Sequence, residues 1–143
     1  MNPEAISLPR GIGAPSGSVI TALGVRILDE VKHVLDIYLP DSTRDGDPVF
    51  EHERWVAIVS DVAVAMAGGC TILPPAVGKW RGPDGRVVHE ATTVVRVYVT
   101  QAQLLEGGPH LRRTLTQYQR ECEQSVVLLT LNGAWLELDG GPS

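Results

Sequence analysis

The chain has 143 residues, with 12 basic and 17 acidic side chains, a formal net charge of −5 and a mean hydropathy of +0.04. This length fits one domain with its own core, and an acidic balance without a basic face argues against a nucleic-acid surface. No stretch reaches the roughly 18 uncharged apolar residues of a membrane span, and the first residues lack the pattern of a secretory signal. We therefore expect a cytoplasmic protein with no nucleic-acid and no membrane partner.

Residues 1–30 are interpreted as an N-terminal arm, and residues 31–143 as a single α+β domain. The first part of the arm is rich in proline and glycine and has little hydrophobic periodicity, which is typical of a loosely held segment. Residues 18–30 fit a short helix and an additional strand equally well, because so short an apolar run has no decisive period.

The domain begins with a strand and an amphipathic helix. Apolar residues alternate from Val31 to Leu39, which predicts a half-buried strand. From Glu51 to Ala67 they recur every three or four positions, which predicts a helix with one buried face. The Gly68-Gly69 pair supplies a left-handed end for that helix.

A long β-hairpin follows. Its first strand, Thr71–Trp80, is interrupted by Pro74-Pro75. Paired prolines cannot donate to a central ladder, so we expect this strand at a sheet edge or with a bulge. Pro83-Asp84-Gly85 predicts the turn, and the run Val87–Val99, rich in β-branched residues, predicts the returning strand.

The remaining elements are a second helix and a C-terminal hairpin. Gly107-Gly108 indicates a loop, and Pro109 suits the first turn of a helix that reaches Glu123. Ser125–Leu131 and Ala134–Leu138 are predicted strands, joined by the Asn132-Gly133 signal of a type I′ turn.

The resulting order, β-α-β-β-α-β with an extra C-terminal hairpin strand, matches the ferredoxin-like split βαβ plan. Right-handed crossovers place both helices on one face of the antiparallel sheet. The other face carries residues such as Val94 and Tyr98 and is too apolar to stay in water. We therefore expect a homodimer through that face, or cover by the N-terminal arm.

No catalytic or metal-binding motif stands out. The patterns HxxxH, HExxH and CxxC are absent, and so is a nucleophile elbow. Cys70 and Cys122 are too few for a zinc ribbon or a disulfide framework, and we interpret each as a small buried apolar residue. We predict no catalytic residue, no metal and no cofactor.

The candidate ligand site consists of residues on and around the long hairpin. An aromatic plate, a carboxylate and a guanidinium suit a polar planar or anionic ligand. In that hypothesis the tryptophan stacks, the glutamate accepts a hydrogen bond and the second arginine pairs with an anion. Cross-strand pairing, with the tryptophan packed at the hairpin end, explains the same residues without a ligand. The five residues are Thr71, Trp80, Arg86, Glu90 and Arg96.

Part of this region also forms a pattern: GGxT, then GxW, a DG-type turn, and a glutamate before an apolar strand. The pattern uses Gly68-Gly69, Thr71, Gly78, Trp80, Gly85 and Glu90. It resembles an uncharacterised family of small proteins from bacteria and their mobile elements. The resemblance implies a ferredoxin-like fold and often a dimer, and it brings no established activity. The chain departs from that family in Cys70, where an aromatic or aliphatic residue is common, and in its long N-terminal arm.

Two functions of different classes follow. The leading hypothesis is a non-enzymatic homodimeric domain that binds a small polar ligand or a protein partner. The alternative is a cofactor-independent enzyme of the dimeric α/β-barrel kind, isomerase-like or oxygenase-like, with His89, Glu90 or His33 as acid or base. Whether Glu90, Arg96 and His33 face a cavity or open solvent distinguishes the two.

Overall fold

The computed structural model describes residues 22–24 and 32–138. Most of the predicted N-terminal arm lies outside these residues, as does Val31 at the start of the predicted first strand. The elements are β1 (His33–Pro40), α1 (His52–Ala67), β2 (Thr71–Arg81), β3 (Val87–Val99), α2 (Gln101–Glu121), β4 (Leu128–Leu131) and β5 (Ala134–Glu137).

The strands of the described residues form one antiparallel sheet in the order β2-β3-β1-β4-β5. This is the α+β, ferredoxin-like split βαβ arrangement with an extra C-terminal hairpin strand, as predicted. Both helices pack on the same face of the sheet, because one alternating set of strand side chains shares a single core with the helices. The opposite face of the sheet, the open face, is covered by neither α1 nor α2.

The core lies between the helices and the central strands. Leu35, Ile37 and Leu39 of β1 alternate toward the helices and are buried, as the period of two in the sequence requires. Trp55 of α1 and Tyr118 of α2 meet there edge to face, with ring centroids 5.7 Å apart. The buried Tyr118 hydroxyl donates to the Pro40 carbonyl at 3.1 Å, so its polar atom is satisfied.

The predicted turns and the edge strand are confirmed. β2 lies at the edge of the sheet, and its register with β3 shifts between Leu73 and Ala76, where the paired prolines stand. α1 ends at Gly68 in the left-handed conformation, with φ at 87°. Asn132 and Gly133 have φ values of 51° and 83°, which a type I′ turn requires.

The predicted start of the second helix is wrong, because α2 begins at Gln101 and not at Pro109. Thr100 forms a capping box: its Oγ1 accepts from the Gln103 backbone N–H at 3.1 Å, while the Gln103 Oε1 accepts from the Thr100 N–H at 3.0 Å. Gly107, which indicated a loop, lies where α2 approaches α1, since a Cβ there would be 2.5 Å from the Met66 Cγ. Capping and helix packing therefore outweigh the weak helix propensity of glycine and proline.

Candidate ligand-binding cleft on the open sheet face

The open face is curved, and side chains from its two edge strands meet across it. Trp80 on β2 and Trp135 on β5 have ring centroids 6.1 Å apart with planes at 81°. Tyr38, on the central strand β1, lies against Trp135 with centroids 5.4 Å apart and planes at 36°. Such tilted and edge-to-face contacts are the favoured geometries of aromatic pairs. These three rings, the aromatic trio, separate two depressions.

The first depression, the aromatic cleft, has a volume of about 270 Å³. Its walls come from β1, from the hairpin of β2 and β3, and from the segments before α1 and after α2. Among its lining residues are Tyr38, Arg44, Trp80, Val88, Glu90 and Gln124.

The second depression, the Arg96 groove, has a volume of about 550 Å³ and lies on the other side of Trp135. It is lined by polar and aromatic side chains of β1, β3 and the C-terminal hairpin. They include Asp36, Arg96, Tyr98, Thr130, Asn132 and Trp135.

Gly78 positions the indole of Trp80 over the backbone of β2. The two residues are two positions apart, so their side-chain directions lie on one face of the sheet. A Cβ at Gly78 would stand 2.8 Å from the Trp80 Nε1 and 3.2 Å from its Cε2. The indole therefore occupies the space that a side chain at Gly78 would need. Glu90 is the cross-strand partner of Gly78, which brings its carboxylate to the same place.

Two buried polar atoms near Gly78 lack a hydrogen-bond partner within the described residues: Trp80 Nε1 and Thr92 Oγ1. Thr92 is only 3% exposed, and its Oγ1 would be 3.3 Å from a Cβ at Gly78. Buried donors and acceptors are normally paired, and each unpaired group costs stability. This corner beneath the Trp80 indole therefore holds a hydroxyl without a partner among the described residues, and an indole N–H that acts only on the nearby Glu90 carboxylate.

The carboxyl group of Glu90 has a perturbed acidity. Burial raises the pKa of Glu90, the nearby Trp80 N–H lowers it, and the negative charge of Asp41 raises it further, with a net increase. The Trp80 N–H is close enough to act on the carboxylate but makes no hydrogen bond of good geometry with it. Glu90 is thus a carboxyl group in a half-buried, aromatic setting whose charged form is disfavoured.

Arg96 is engaged by an internal carboxylate. Its Nε and one Nη donate to the two carboxylate oxygens of Asp36, each at 2.9 Å. Asp36 is 7% exposed, so this pair satisfies a buried charge with the two-pronged geometry that arginine prefers. The hydrogen bonds to Asp36 raise the pKa of Arg96 above its already high ordinary value.

The structure brings together only part of the predicted site. Trp80 and Glu90 line the aromatic cleft, while Arg96 lies in the neighbouring groove. Thr71 is exposed and pairs across the strands with Arg96. Arg86 is exposed at the hairpin turn, 3.8 Å from Asp84.

The histidines of the enzyme hypothesis do not join Glu90. His33 is on the same face of β1 as the core residues Leu35 and Ile37, and its Nδ1 is 2.7 Å from the Asn132 Nδ2. His89 is exposed and adjacent to Glu90 on β3, so the two side chains point to opposite faces. In the cleft, Glu90 is therefore without a histidine neighbour among the described residues.

Sequence reasoning missed three residues at these depressions. Tyr38 could have been identified from the sequence, because the alternation along β1 places it on the face opposite the core. Gln124 and Trp135 had none, since Gln124 follows a helix end and Trp135 reaches the trio only because the sheet curves. Gln124 Nε2 donates to the Ser42 carbonyl at 2.7 Å and closes one wall of the cleft.

Neither a metal site nor a membrane-spanning helix is found in the described part of the chain. Residues 22–24 and 32–138 contain no group of three or more His, Cys, Asp or Glu side chains arranged to hold a metal ion. Nor does any helix within those residues have the length and apolarity needed to cross a membrane.

Comparison with known proteins shows a likeness of fold. No family model matches the chain, and no curated protein matches it. A phage SAM lyase in complex with S-methyl-5′-thioadenosine is 11% identical with a TM-score of 0.53, over 78% of this chain and 92% of that one. A phage SAM lyase in its apo state is 10% identical with a TM-score of 0.53, over 82% and 99%. The divalent cation tolerance protein CutA1 of Thermus thermophilus is 17% identical with a TM-score of 0.48, over 70% and 81%.

Proposed function

We propose that this protein is a non-enzymatic binding domain that holds a small planar polar ligand in the aromatic cleft. The observation that carries the proposal is the polar corner beside Gly78. There the indole of Trp80, whose buried N–H makes no hydrogen bond of good geometry within the described residues, lines the cleft beside the Glu90 carboxylate and the Tyr38 ring. Apolar clefts with a few convergent polar groups are the usual form of small-molecule sites.

The test uses the indole N–H signals of the three tryptophans in ¹H–¹⁵N NMR spectra. The probes are a library of planar fragments and S-methyl-5′-thioadenosine, which the phage SAM lyase of similar fold holds. We expect binding to shift the Trp80 signal, and that of Trp135 through its ring contact. Trp55, buried in the core, serves as the reference that does not move.

Gly78→Ala is the matched perturbation, because its Cβ would displace the indole that it meets at 2.8 Å. We expect this variant to lose the Trp80 response. Gly69→Ala is the control, since a Cβ there meets nothing within 4 Å and Gly69 has no positive φ. A library in which no probe moves the Trp80 signal would refute the proposed site.

We further propose that two copies associate through the open face. Tyr98 and Trp135 on that face are 51% and 58% exposed, and large exposed apolar patches mark interaction surfaces. Trp135→Glu should convert a dimer to a monomer in sedimentation velocity. Leu105→Glu, at an exposed leucine of α2, should leave it a dimer. A monomer mass for the unmodified protein at high micromolar concentration would contradict this proposal.

The compartment that we propose is the cytoplasm. Both cysteines, Cys70 and Cys122, are free thiols, as is usual in a reducing compartment. Burial raises the pKa of Cys122 to about 11, so this thiol stays protonated and unreactive at neutral pH.

An enzyme is the second candidate, favoured by a half-buried carboxyl group in a cleft, since burial raises the pKa of Glu90 above its ordinary value and enzymes adjust carboxyl groups in this direction for acid–base catalysis. Incubation with S-adenosylmethionine, followed by chromatography, tests one reaction suggested by the similar fold. Turnover that disappears in Glu90→Gln would favour the enzyme over the binding domain.

A further inference from the structure

The carboxylate of Glu90 has no cationic partner within the described residues. No Lys, Arg or His nitrogen of these residues lies within 4.0 Å of it. Their ion pairs join other groups: Arg54 with Glu51, Arg86 with Asp84, and Arg96 with Asp36. The aromatic cleft therefore contains a half-buried acid whose charge is not balanced from within.

The surroundings of Glu90 make that charge more costly. Burial and the nearby negative charge of Asp41 raise the pKa of Glu90 by more than the Trp80 N–H lowers it. Arg44 also lines the cleft, but it is exposed and forms no ion pair with Glu90 within the described residues. A cation that entered the cleft would remove this penalty, since a half-buried charge is stabilised chiefly by an opposite charge at close range.

The aromatic rings add a second attraction for a cation. Tyr38 and Trp80 both line the cleft, and the faces of tyrosine and tryptophan attract cations, tryptophan most strongly. A flat cation gains contact area against such rings that a spherical ammonium ion does not. A planar ion with two N–H groups on one edge also matches the two oxygens of a carboxylate.

We propose that the aromatic cleft selects a small planar organic cation of the amidinium or guanidinium type, which lies against Trp80 and pairs with the Glu90 carboxylate. This inference rests on the proposed function, since it assumes that the cleft binds a ligand, and it adds the charge and shape of that ligand. It also replaces the anionic ligand that Arg96 suggested, because the Arg96 guanidinium already pairs with Asp36.

A series of three probes separates charge from shape. Benzamidine, benzamide and benzoate carry the same ring and similar planar groups, with charges of about +1, 0 and −1 at neutral pH. Each is titrated into the full-length protein while the Trp80 indole N–H signal is followed and the Trp55 signal serves as reference. We expect benzamidine to bind about tenfold more tightly than benzamide, and benzoate to bind most weakly.

Two variants test the role of Glu90 directly. Glu90→Gln keeps the size of the side chain and removes its charge, so benzamidine should bind within about twofold of benzamide. Glu53→Gln, at an exposed position of α1, should keep the tenfold preference. The probe series on the unmodified protein stands by itself if Glu90→Gln proves unstable.

The outcomes distinguish the selection of a cation from the more general proposal that the cleft binds a ligand. Equal affinities for the three probes, or tighter binding of benzoate, would overturn the selection of a cation and leave the cleft as a ligand site. A preference for benzamidine that survives in Glu90→Gln would overturn the assigned role of Glu90. If none of the probes moves the Trp80 signal, the inference and the proposed function both fail at this cleft.

Discussion

Replacement of Arg96 by methionine distinguishes a structural arginine from one available to a ligand. The change keeps most of the aliphatic stem and removes a guanidinium that donates to both oxygens of Asp36, each at 2.9 Å. Asp36 is 7% exposed, so its carboxylate would remain buried without a counter-charge. Breaking a fully buried ion pair costs about 3–5 kcal/mol.

The expected cost here is smaller than that range. The Arg96 side chain is 38% exposed, so water can reach the position that it leaves and solvate Asp36 in part. We therefore expect a loss of about 2–3 kcal/mol in the free energy of unfolding. For a domain of this size, with a urea m-value of about 2 kcal/mol/M, the midpoint should fall by about 1–1.5 M.

Two further variants complete the urea experiment. Arg86→Met is the matched control, because Arg86 is 89% exposed and lies 3.8 Å from Asp84, and it should cost less than about 0.5 kcal/mol. The double variant Arg96→Met/Asp36→Asn should recover much of the loss, since it removes the buried charge as well. If Arg96→Met itself costs less than about 0.5 kcal/mol, the reasoning is refuted, and Arg96 regains the role of anion partner that the sequence suggested.

Three other predictions concern the core, the helix contact and Glu90. Leu115, 1% exposed, should lose about 2–5 kcal/mol of stability on replacement by alanine, and a loss below half a kcal/mol in urea unfolding would mean that it is not core. Gly107→Ala should destabilise the fold, because its Cβ would be 2.5 Å from the Met66 Cγ. In Gly108→Ala the Cβ meets nothing within 4 Å, so this change should stabilise α2 by about 0.5–1 kcal/mol. Equal melting temperatures for the two variants would contradict the close approach of α1 and α2 at Gly107. Burial raises the pKa of Glu90 above 4.5, so the folded state holds this proton more tightly than the unfolded chain. The stability of the fold therefore falls as the pH rises from the pKa of Glu90 in the unfolded chain to its higher pKa in the folded state. Glu90→Gln should therefore raise the melting temperature at about pH 7 and bring no gain at about pH 4, and a gain that is the same at both values would exclude this origin.

Local signals determined most of the secondary structure. The alternation along β1 and the helical period along α1 reflect which side chains must leave water, and they identify Leu35, Ile37 and Trp55 as core residues. Gly85 and Asn132 mark turns because few other residues adopt positive φ cheaply. The start of α2 also had a local signal in Thr100 and Gln103, but the glycines and the proline that follow indicated a loop.

Whether Gly107 lies in a loop or in a helix depends on a tertiary contact. Gly107 in a helix costs conformational entropy in isolation, and only the approach of Met66 from α1 makes its missing side chain an advantage. Its sequence neighbours contain no information about that contact. Pro109 also lies inside α2, although its ring removes one helical hydrogen bond.

The sequence by itself determined the order of elements, the face that each helix buries and the two residues of the cleft that lie on the long hairpin, Trp80 and Glu90. Only the tertiary structure decided which other groups they meet. Sheet curvature brings Trp135 from the far edge to Trp80. The register of β1 and β3 places Arg96 opposite Asp36, where the two side chains form an ion pair. Periodicity reports which side of an element is buried, whereas contact between distant elements depends on how the whole sheet twists and pairs.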